Sequence, residues 1–223
     1  MQRSVLEQLS PTQRERLLAR AVRRDLPRGE LLQLAGSPAE RVHLIVTGIV
    51  SLSVRDIDGD ETILGLAGPG TFVGEVAAID GEPQPFDAAT ATAAQVVGFD
   101  AAAFVDIVFS SPPAARALAA LGTARSRWMI DTALERTTGE VDARLAGRLL
   151  DLSRMLGRTN GTTIELELPL SQRDLGRLAG MCRESACKTL RRMKANGIVD
   201  YEGRKLRILR PDSLRMLKCG GSM

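Results

Sequence analysis

Histidine, aromatic residues and cysteine are scarce in this chain of 223 residues. It has one histidine, one tryptophan and one tyrosine, and its three cysteines, Cys182, Cys187 and Cys219, form neither a CxxC pair nor a disulfide framework. A single histidine, with no metal-spaced ligand set and no nucleophile motif, argues against an enzyme. The absence of any run of about 18 apolar residues argues against a membrane span.

The N-terminal sequence MQRSVLEQLS has no apolar core of the signal-peptide type, so we expect a protein of the reducing cytoplasm. In that compartment the cysteines stay reduced. Cys182 and Cys187 flank the start of a predicted helix, where oxidation would disturb the surface. Buried or inert thiols are nevertheless the expectation, and a redox role for Cys219 is equally open.

Residues 140–223 carry the positive charge of the chain. They contain 17 Lys and Arg against 10 Asp and Glu, whereas residues 1–139 contain 13 against 17, which together give the formal net charge of +3. Clustered cations are typical of a surface that binds a polyanion. We therefore expect the C-terminal part to bind nucleic acid; a randomly basic surface is the alternative.

Residues 1–110 predict a β-rich domain after a short N-terminal helix. The segment RVHLIVTGIVSLSV alternates at period two around Gly48, and RDIDGDETILGL places Asp58-Gly59 at a hairpin turn. The segments AGPGTFVGEV and ATATAAQVVGF add further short strands. Repeated strands with Gly-rich turns favour a small barrel or roll.

Residues 111–138 predict one long helix, which opens at Pro112-Pro113 and ends at Thr137-Thr138-Gly139. An apolar side favours coiled-coil pairing with a second copy, and packing on its own β domain is the alternative. The residues of that side are Leu118, Leu121, Ala124, Trp128, Ile130 and Leu134.

Residues 139–223 predict a winged helix-turn-helix domain. In LSQRDLGRLAGMCRESACKTLRRMKANGIV, Ser171 and Asp174 form a capping-box-like start and Gly180 allows a tight turn. The second helix of the pair is predicted over 183–195. The segment VDYEGRKLRIL then alternates around a central Glu-Gly, as a small β-hairpin wing would.

The predicted second helix is basic, yet it keeps Glu184 beside Arg183. A recognition helix directs its N-terminal residues toward base edges, where Arg183 can donate two hydrogen bonds to guanine and Glu184 can accept from cytosine N4. Lys188 lies one turn later on nearly the same face and can reach a base or a phosphate. Contacts to the DNA backbone, which position a protein without reading sequence, are predicted for Ser171, Ser185, Thr189, Arg191 and Arg192.

The chain resembles the Crp-Fnr family of bacterial transcription regulators over nearly its whole length. The similarity rests on SQRDLGRLAGMCRESACKTLRRMKANGIV and GTFVGEVAAIDGEP, and the family pattern R-E-[ST]-V-x-R appears as RESACK from Arg183 to Lys188. Lys188 stands where the family has arginine, which departs from bidentate guanine recognition.

The resemblance implies an α+β fold with an N-terminal cyclic-nucleotide-binding-like β-roll, a long dimerisation helix and a C-terminal winged helix-turn-helix. It implies a cytoplasmic homodimer that binds double-stranded DNA and reads an inverted repeat of GTGA-like half-sites through Arg183, Glu184 and Lys188. It also implies contact with RNA polymerase, for which the acidic hairpin 56–61 and the loop 157–162 match the family's surfaces.

In the family the roll binds a cyclic nucleotide, and the resemblance identifies Gly74 and Glu75 as the Gly-Glu that bonds the ribose. Asp87 falls where the family has its phosphate-binding arginine. No Arg or Lys occurs between Arg55 and Arg116, so a buried phosphate would face two carboxylates without a charged partner.

The family's polar adenine-contacting pair falls at Met129 and Ile130, whose side chains form no hydrogen bonds with adenine. We therefore disfavour cAMP as effector and expect a regulator that is effector-independent or answers to an unidentified apolar effector. A regulator that responds to a cyclic nucleotide or cyclic dinucleotide, or a haem or redox sensor, is the alternative. Haem ligation by His43 is not expected, because a lone histidine in VHLIV is typical of a strand surface.

Overall fold

The computed structural model describes residues 4–220 and divides into two compact units. One unit contains the chain up to Arg55 together with Leu64–Met129, and the other contains Asp56–Ile63 together with the chain from Ile130 onward. The segment Asp56–Ile63 thus groups with the C-terminal unit, although the predicted domain limits at residues 110 and 138 assign it to the roll.

The first unit starts with a short helical segment that its polar residues cap. A 3-10 helix, Val5–Gln8, precedes helix α1, Pro11–Leu18. Ser10 caps α1, because its hydroxyl accepts from the Gln13 backbone N–H while the Gln13 side chain accepts from the Ser10 N–H. Two helical pieces therefore stand where one amphipathic helix was predicted.

Eight strands and a short helix follow, and they build the predicted roll from two four-stranded sheets. The first sheet has the strand order β1-β8-β3-β6 and the second the order β2-β7-β4-β5. The elements are β1 Val22–Leu26, β2 Leu31–Gln33, β3 Arg41–Thr47, β4 Val50–Arg55, β5 Glu61–Ala67, β6 Phe72–Val73, α2 Glu75–Asp80, β7 Asp87–Thr90 and β8 Ala94–Asp100.

Alternating burial along the strands fills the interior of the roll. In β3 the pairing with β8 sets Val42 opposite Phe99, and both side chains are buried. One core joins β3, β6 and β8 to the helices; a second lies between the sheets and includes Ile45, Val50 and Val96. Gly48 links β3 to β4, as the sequence predicted. Its φ is +84, and a Cβ there would meet the Ala93 carbonyl oxygen at 2.3 Å, so this position requires glycine.

Two further helices follow the strands. Helix α3, Ala101–Phe109, was not predicted; the Asp100 carboxylate caps it by accepting from the Ala103 N–H. Helix α4, Pro112–Thr138, confirms the predicted long helix. Its apolar side is divided, because Leu118 is buried in the first unit whereas Ile130 is 60% exposed.

The second unit is a winged helix-turn-helix, as predicted. Its sheet has the strand order β11-β12-β10-β9, and helix α5 packs against α8. The elements are α5 Val141–Leu156, β9 Arg158–Asn160, β10 Thr163–Glu167, α6 Gln172–Leu178, α7 Arg183–Ala195, β11 Val199–Glu202, β12 Lys205–Ile208 and α8 Pro211–Lys218.

Within residues 4–220, no single helix is long and apolar enough to cross a membrane. Helices α3 and α4 pass that test only as a pair, which is bent by 115° at the break between them.

His43 is a core residue of β3, contrary to the predicted strand-surface position. Only 5% of it is exposed, it pairs with Gly98 of β8, and its Nδ1 has no hydrogen-bond partner among the described residues. Burial, reinforced by the charges of Arg24 and Arg41, lowers the pKa of His43 from 6.5 to about 4.

We expect His43 to stay neutral down to about pH 4 and to make the fold acid-sensitive. The unfolded chain binds a proton near pH 6.5 and the folded chain does not, so the free energy of unfolding should fall by up to ~3 kcal/mol as the pH drops through that window. The single imidazole resonance, followed by NMR against pH, gives the midpoint. A midpoint near 6.5 would contradict the burial of His43.

Candidate nucleic-acid interface and effector site

Helices α6 and α7 form the helix-turn-helix that the sequence predicted. The Ser171 hydroxyl accepts from the Asp174 N–H at 3.2 Å, and the Asp174 carboxylate accepts from the Ser171 N–H at 3.3 Å, which confirms the capping box. Leu175 and Leu178 are buried. Gly180 has φ +65 in the turn, and a Cβ there would meet the Arg136 side chain at 3.0 Å, so glycine is needed for both backbone and space.

Helix α7 has one buried and one exposed face. Ala186, Leu190 and Met193 are buried and hold the helix against the unit. The opposite face lines a shallow groove of about 370 Å³ whose residues recur at i, i+4 and i+8. These residues are Arg183, Glu184, Cys187, Lys188 and Arg191. The predicted base-reading side chains therefore share one surface.

Glu184 is ionised at the exposed start of α7. Its own backbone N–H, followed by the Cys182 thiol, lowers the pKa of the Glu184 carboxyl. Cys182 is the N-cap residue of α7, and its Sγ lies 3.2 Å from the Ser185 hydroxyl. The helix N-terminus thus holds a carboxylate next to Arg183, as the helix dipole favours.

Thr189 and Arg192, which were predicted to contact the DNA backbone, both contact the Asp142 carboxylate. Thr189 is buried and donates to the Asp142 carboxylate at 3.2 Å, so its assignment as a DNA-backbone contact is wrong. Arg192 is partly exposed and forms an ion pair with the same carboxylate. Threonine at this position of α7 falls on the inward face, where Asp142 of α5 satisfies its hydroxyl.

The acidic segment Asp56–Ile63 lies against α6. Glu61 pairs with Arg177 at 2.8 Å, and Arg136 donates to the carbonyl oxygens of Ile63 and Leu178. Arg144 donates to the Gly180 carbonyl oxygen at 3.0 Å. Sequence inspection missed these arginines, because their partners lie far away along the chain.

The wing carries its own ion network beside α7. The Asp200 carboxylate pairs with Lys194 of α7 at 2.8 Å and with Arg207 of β12. These two partners lower the pKa of Asp200 to about 2. Lys194 also donates to the Tyr201 carbonyl oxygen, so the C-terminal end of α7 is tied to β11.

The cysteines are less buried than expected. Cys182 and Cys219 are exposed, and Cys187 is half-buried with its thiol donating to the Gln172 side chain at 3.1 Å. Cys182 is therefore not a buried thiol. That Cys182 and Cys187 are inert stays a prediction, and exposure alone does not make a thiol reactive.

The predicted effector cassette of the roll consists of Gly74, Glu75 and Asp87. Gly74 adopts φ +92 ahead of α2, and a Cβ there would meet the Arg41 carbonyl oxygen at 2.6 Å. Glu75 follows and is buried. Arg125 of α4 donates to Glu75 Oε1 at 2.5 Å and to the Phe72 carbonyl oxygen at 2.8 Å, whereas Glu75 Oε2 has no hydrogen-bond partner among the described residues. Burial raises the pKa of Glu75, and Arg125 partly opposes that rise.

Asp87, the second predicted cassette residue, is also buried. Its carboxylate accepts from the Ala35 N–H at 2.8 Å and lies 3.8 Å from Arg55 Nε. Arg55 and Arg125 therefore lie beside these two carboxylates, although the sequence predicted that a phosphate bound next to them would lack a charged partner.

The remaining predicted pocket residues, Met129 and Ile130, are exposed in the single chain. Met129 is 44% exposed and Ile130 is 60% exposed. Their part in an effector pocket stays a prediction. No group of three or more His, Cys, Asp and Glu side chains suited to a metal ion occurs among residues 4–220.

Comparison with known proteins defines the class of the chain. The family model for the cyclic nucleotide-binding domain matches residues 23–111, and the model for the Crp-like helix-turn-helix domain matches residues 143–217. The chain is therefore a DNA-binding transcription regulator.

Relatives of known sequence and structure agree. The CRP-like cAMP-activated global transcriptional regulator of Mycobacterium tuberculosis is 28% identical over 194 residues, which is 87% of this chain and 86% of the relative. The solved structure of the c-di-GMP responsive global regulator CLP of Xanthomonas campestris is 25% identical, with a TM-score of 0.75 over 90% of this chain and 99% of that one. FixK2 of Bradyrhizobium japonicum shares the fold, with 23% identity and a TM-score of 0.79 over 91% and 98% of the two chains. The chain belongs to the Crp-Fnr family of regulators.

Proposed function

We propose that this regulator acts as a homodimer that reads an inverted-repeat operator and is not gated by cAMP. The observation that carries the proposal is the exposed face of α7, where Arg183, Glu184, Lys188 and Arg191 line one groove. A dimer with two-fold symmetry presents two such helices, so its operator has matching half-sites.

Glu184 and Arg183 give the face its base selectivity. Ionised Glu184 accepts from cytosine N4 and leaves unpaired acceptors against other bases, and Arg183 matches guanine O6 and N7. Lys188 adds a single charge toward a base or a phosphate. Arg191, Ser185 and the N-terminal end of α6 at Ser171 supply backbone contacts, while Arg192 divides its charge between Asp142 and the DNA.

The exposed apolar residues of α4 support dimerisation. Ile130 and Leu134 project from the helix with exposures of 60% and 57%. They lie four residues apart, so they form one stripe along the helix. A second copy of α4 would cover both side chains, as in a two-stranded coiled coil.

The charge of the roll argues against a cyclic phosphate. The buried cassette holds the carboxylates of Glu75 and Asp87, and the Arg125 guanidinium is already hydrogen-bonded to Glu75 and Phe72. An anionic effector would bring a third negative charge into this buried region, at a high desolvation and repulsion cost. The names of the two relatives, one activated by cAMP and one responsive to c-di-GMP, make both nucleotides the compounds to test.

We also propose that the regulator acts in the cytoplasm and contacts RNA polymerase. The tip of the acidic hairpin supports a polymerase contact, because Ile57 is fully exposed next to Asp56 and Asp58. Glu61 is less suited to that role, since it pairs with Arg177. The second candidate surface is the loop 157–162.

Replacement of Glu184 should alter sequence choice, and replacement of Arg191 should alter affinity. We expect Glu184→Ala to keep total DNA affinity but to lose about 1–3 kcal/mol of discrimination at one base pair.

We expect Arg191→Ala to weaken binding to all sequences and to reduce the slope of binding affinity against salt concentration by about 1. Selection of bound DNA fragments and salt titrations measure both effects; equal losses from the two variants would contradict the assigned roles.

Loss of the α4 stripe should separate the dimer. Ile130→Asp places a charge on the stripe, so sedimentation should show monomers and affinity for an inverted repeat should fall about a hundredfold. Leu34→Asp is the matched control, because Leu34 is 54% exposed on the roll. Identical behaviour of the two variants would reject α4 as the dimer interface.

Calorimetric titration with cAMP should give no binding at micromolar concentrations, because the cassette lacks an uncommitted cation. The same titration with cGMP and c-di-GMP tests the alternative effectors. Micromolar cAMP affinity would overturn the effector part of the proposal and leave DNA recognition untouched.

A further inference from the structure

Arg125 of α4 is hydrogen-bonded to the effector cassette of the roll. The Arg125 guanidinium donates one hydrogen bond to Glu75 and a second to the Phe72 carbonyl oxygen, at 2.5 and 2.8 Å. The side chain of Arg125 is 24% exposed and that of Glu75 is 11% exposed. The planar guanidinium uses two of its N–H donors for two acceptors, which fixes its position more firmly than one hydrogen bond would.

Trp128 forms another contact between α4 and the roll, in addition to the buried side chains of Ala114 and Leu118. It follows Arg125 by three residues, so the two side chains leave the helix on neighbouring sides. A Cβ at Gly65 of β5 would lie 3.0 Å from the Trp128 ring, which shows that the indole rests directly on that glycine. Gly65 therefore leaves the space that the indole needs.

These two contacts hold the rotation of α4 beyond Ala114 and Leu118, which pack into the core of the roll nearer the start of the helix. At 3.6 residues per turn, Ile130 and Leu134 lie roughly 140° and 180° around the helix from Arg125. When Arg125 and Trp128 face the roll, the apolar stripe faces away from it and is presented to a partner.

We propose that Arg125 with Glu75, and Trp128 with Gly65, form an internal clasp that holds α4 in its dimer-forming orientation without a bound effector. The clasp rests on the proposed function, since its effect on DNA binding passes through the dimer. Arg125 is a positioning residue: it touches no DNA and acts through the orientation of the helix.

The ion pair of the clasp is largely buried, so the removal of one partner leaves the other charge uncompensated. Glu75 is buried with one oxygen unpartnered, so an uncompensated carboxylate there is strongly unfavourable when Arg125 is removed. The helix would then leave the cassette or rotate so that solvent reaches Glu75. Either change moves Ile130 and Leu134 away from the position that a partner copy fits.

The test compares Arg125→Gln, Glu75→Gln and the double variant with Arg116→Gln. Arg116 is an exposed arginine nine residues earlier on α4 and serves as the matched control. We expect each single cassette variant to lower affinity for the operator about tenfold, and the double variant to lose about tenfold as well, because both changes remove one interaction. Arg116→Gln should match the wild type.

The only tryptophan of the chain gives a readout that needs no DNA. Loss of the clasp should expose Trp128 and shift its emission to longer wavelength, with a parallel rise in monomer by sedimentation. If Arg125→Gln fails to fold, as circular dichroism would reveal, Gly65→Ala displaces the indole without a change of charge and should give the same emission shift and affinity loss.

Several results would reject the clasp: equal affinity for Arg125→Gln and Arg116→Gln, multiplied losses in the double variant, or tighter DNA binding after Arg125→Gln. A wild-type protein that binds no operator would reject the proposed function instead. In that case the emission and sedimentation measurements still decide whether Arg125 orients α4.

Discussion

The division of α7 into a buried and an exposed face is the constraint on which DNA recognition depends. Ala186, Leu190 and Met193 anchor the helix, and Thr189 is held by Asp142. With the inner face fixed, the helical period directs Arg183, Glu184 and Lys188 outward together. The helix N-terminus stabilises the charge of Glu184 in this basic surface. In the proposed function this carboxylate accepts from cytosine N4, which a basic side chain cannot do.

The roll balances the charge of its two buried carboxylates with arginines of the same unit. Two buried carboxylates, Glu75 and Asp87, occupy the cassette, and the cations near them, Arg125 and Arg55, come from α4 and β4. The cassette therefore satisfies its charge with its own side chains. This arrangement joins the proposed independence from cAMP to the orientation of α4, since the same guanidinium that neutralises Glu75 also ties the helix to the roll.

Local sequence signals predicted the elements but not the pairs between them. The Ser171 capping box, the Gly180 turn and the limits of α7 were predictable, because each depends on residues a few positions apart. Helix α3 was missed, since its apolar run is short and lacks a polar face. Arg125 was missed as a partner of Glu75 because 50 positions separate the two residues in the sequence.

Local patterns in the sequence were enough to predict the roll, the long helix, the helix-turn-helix, the basic C-terminal part and the residues that share the exposed face of α7. Period and charge are properties of neighbouring positions, so these features could be read without the fold. The burial of His43, the inward position of Thr189 and the ion pair of Arg125 with Glu75 became known only from the folded chain. Burial and ion pairing arise when distant segments pack and exclude water, and no local pattern specifies which segments will meet.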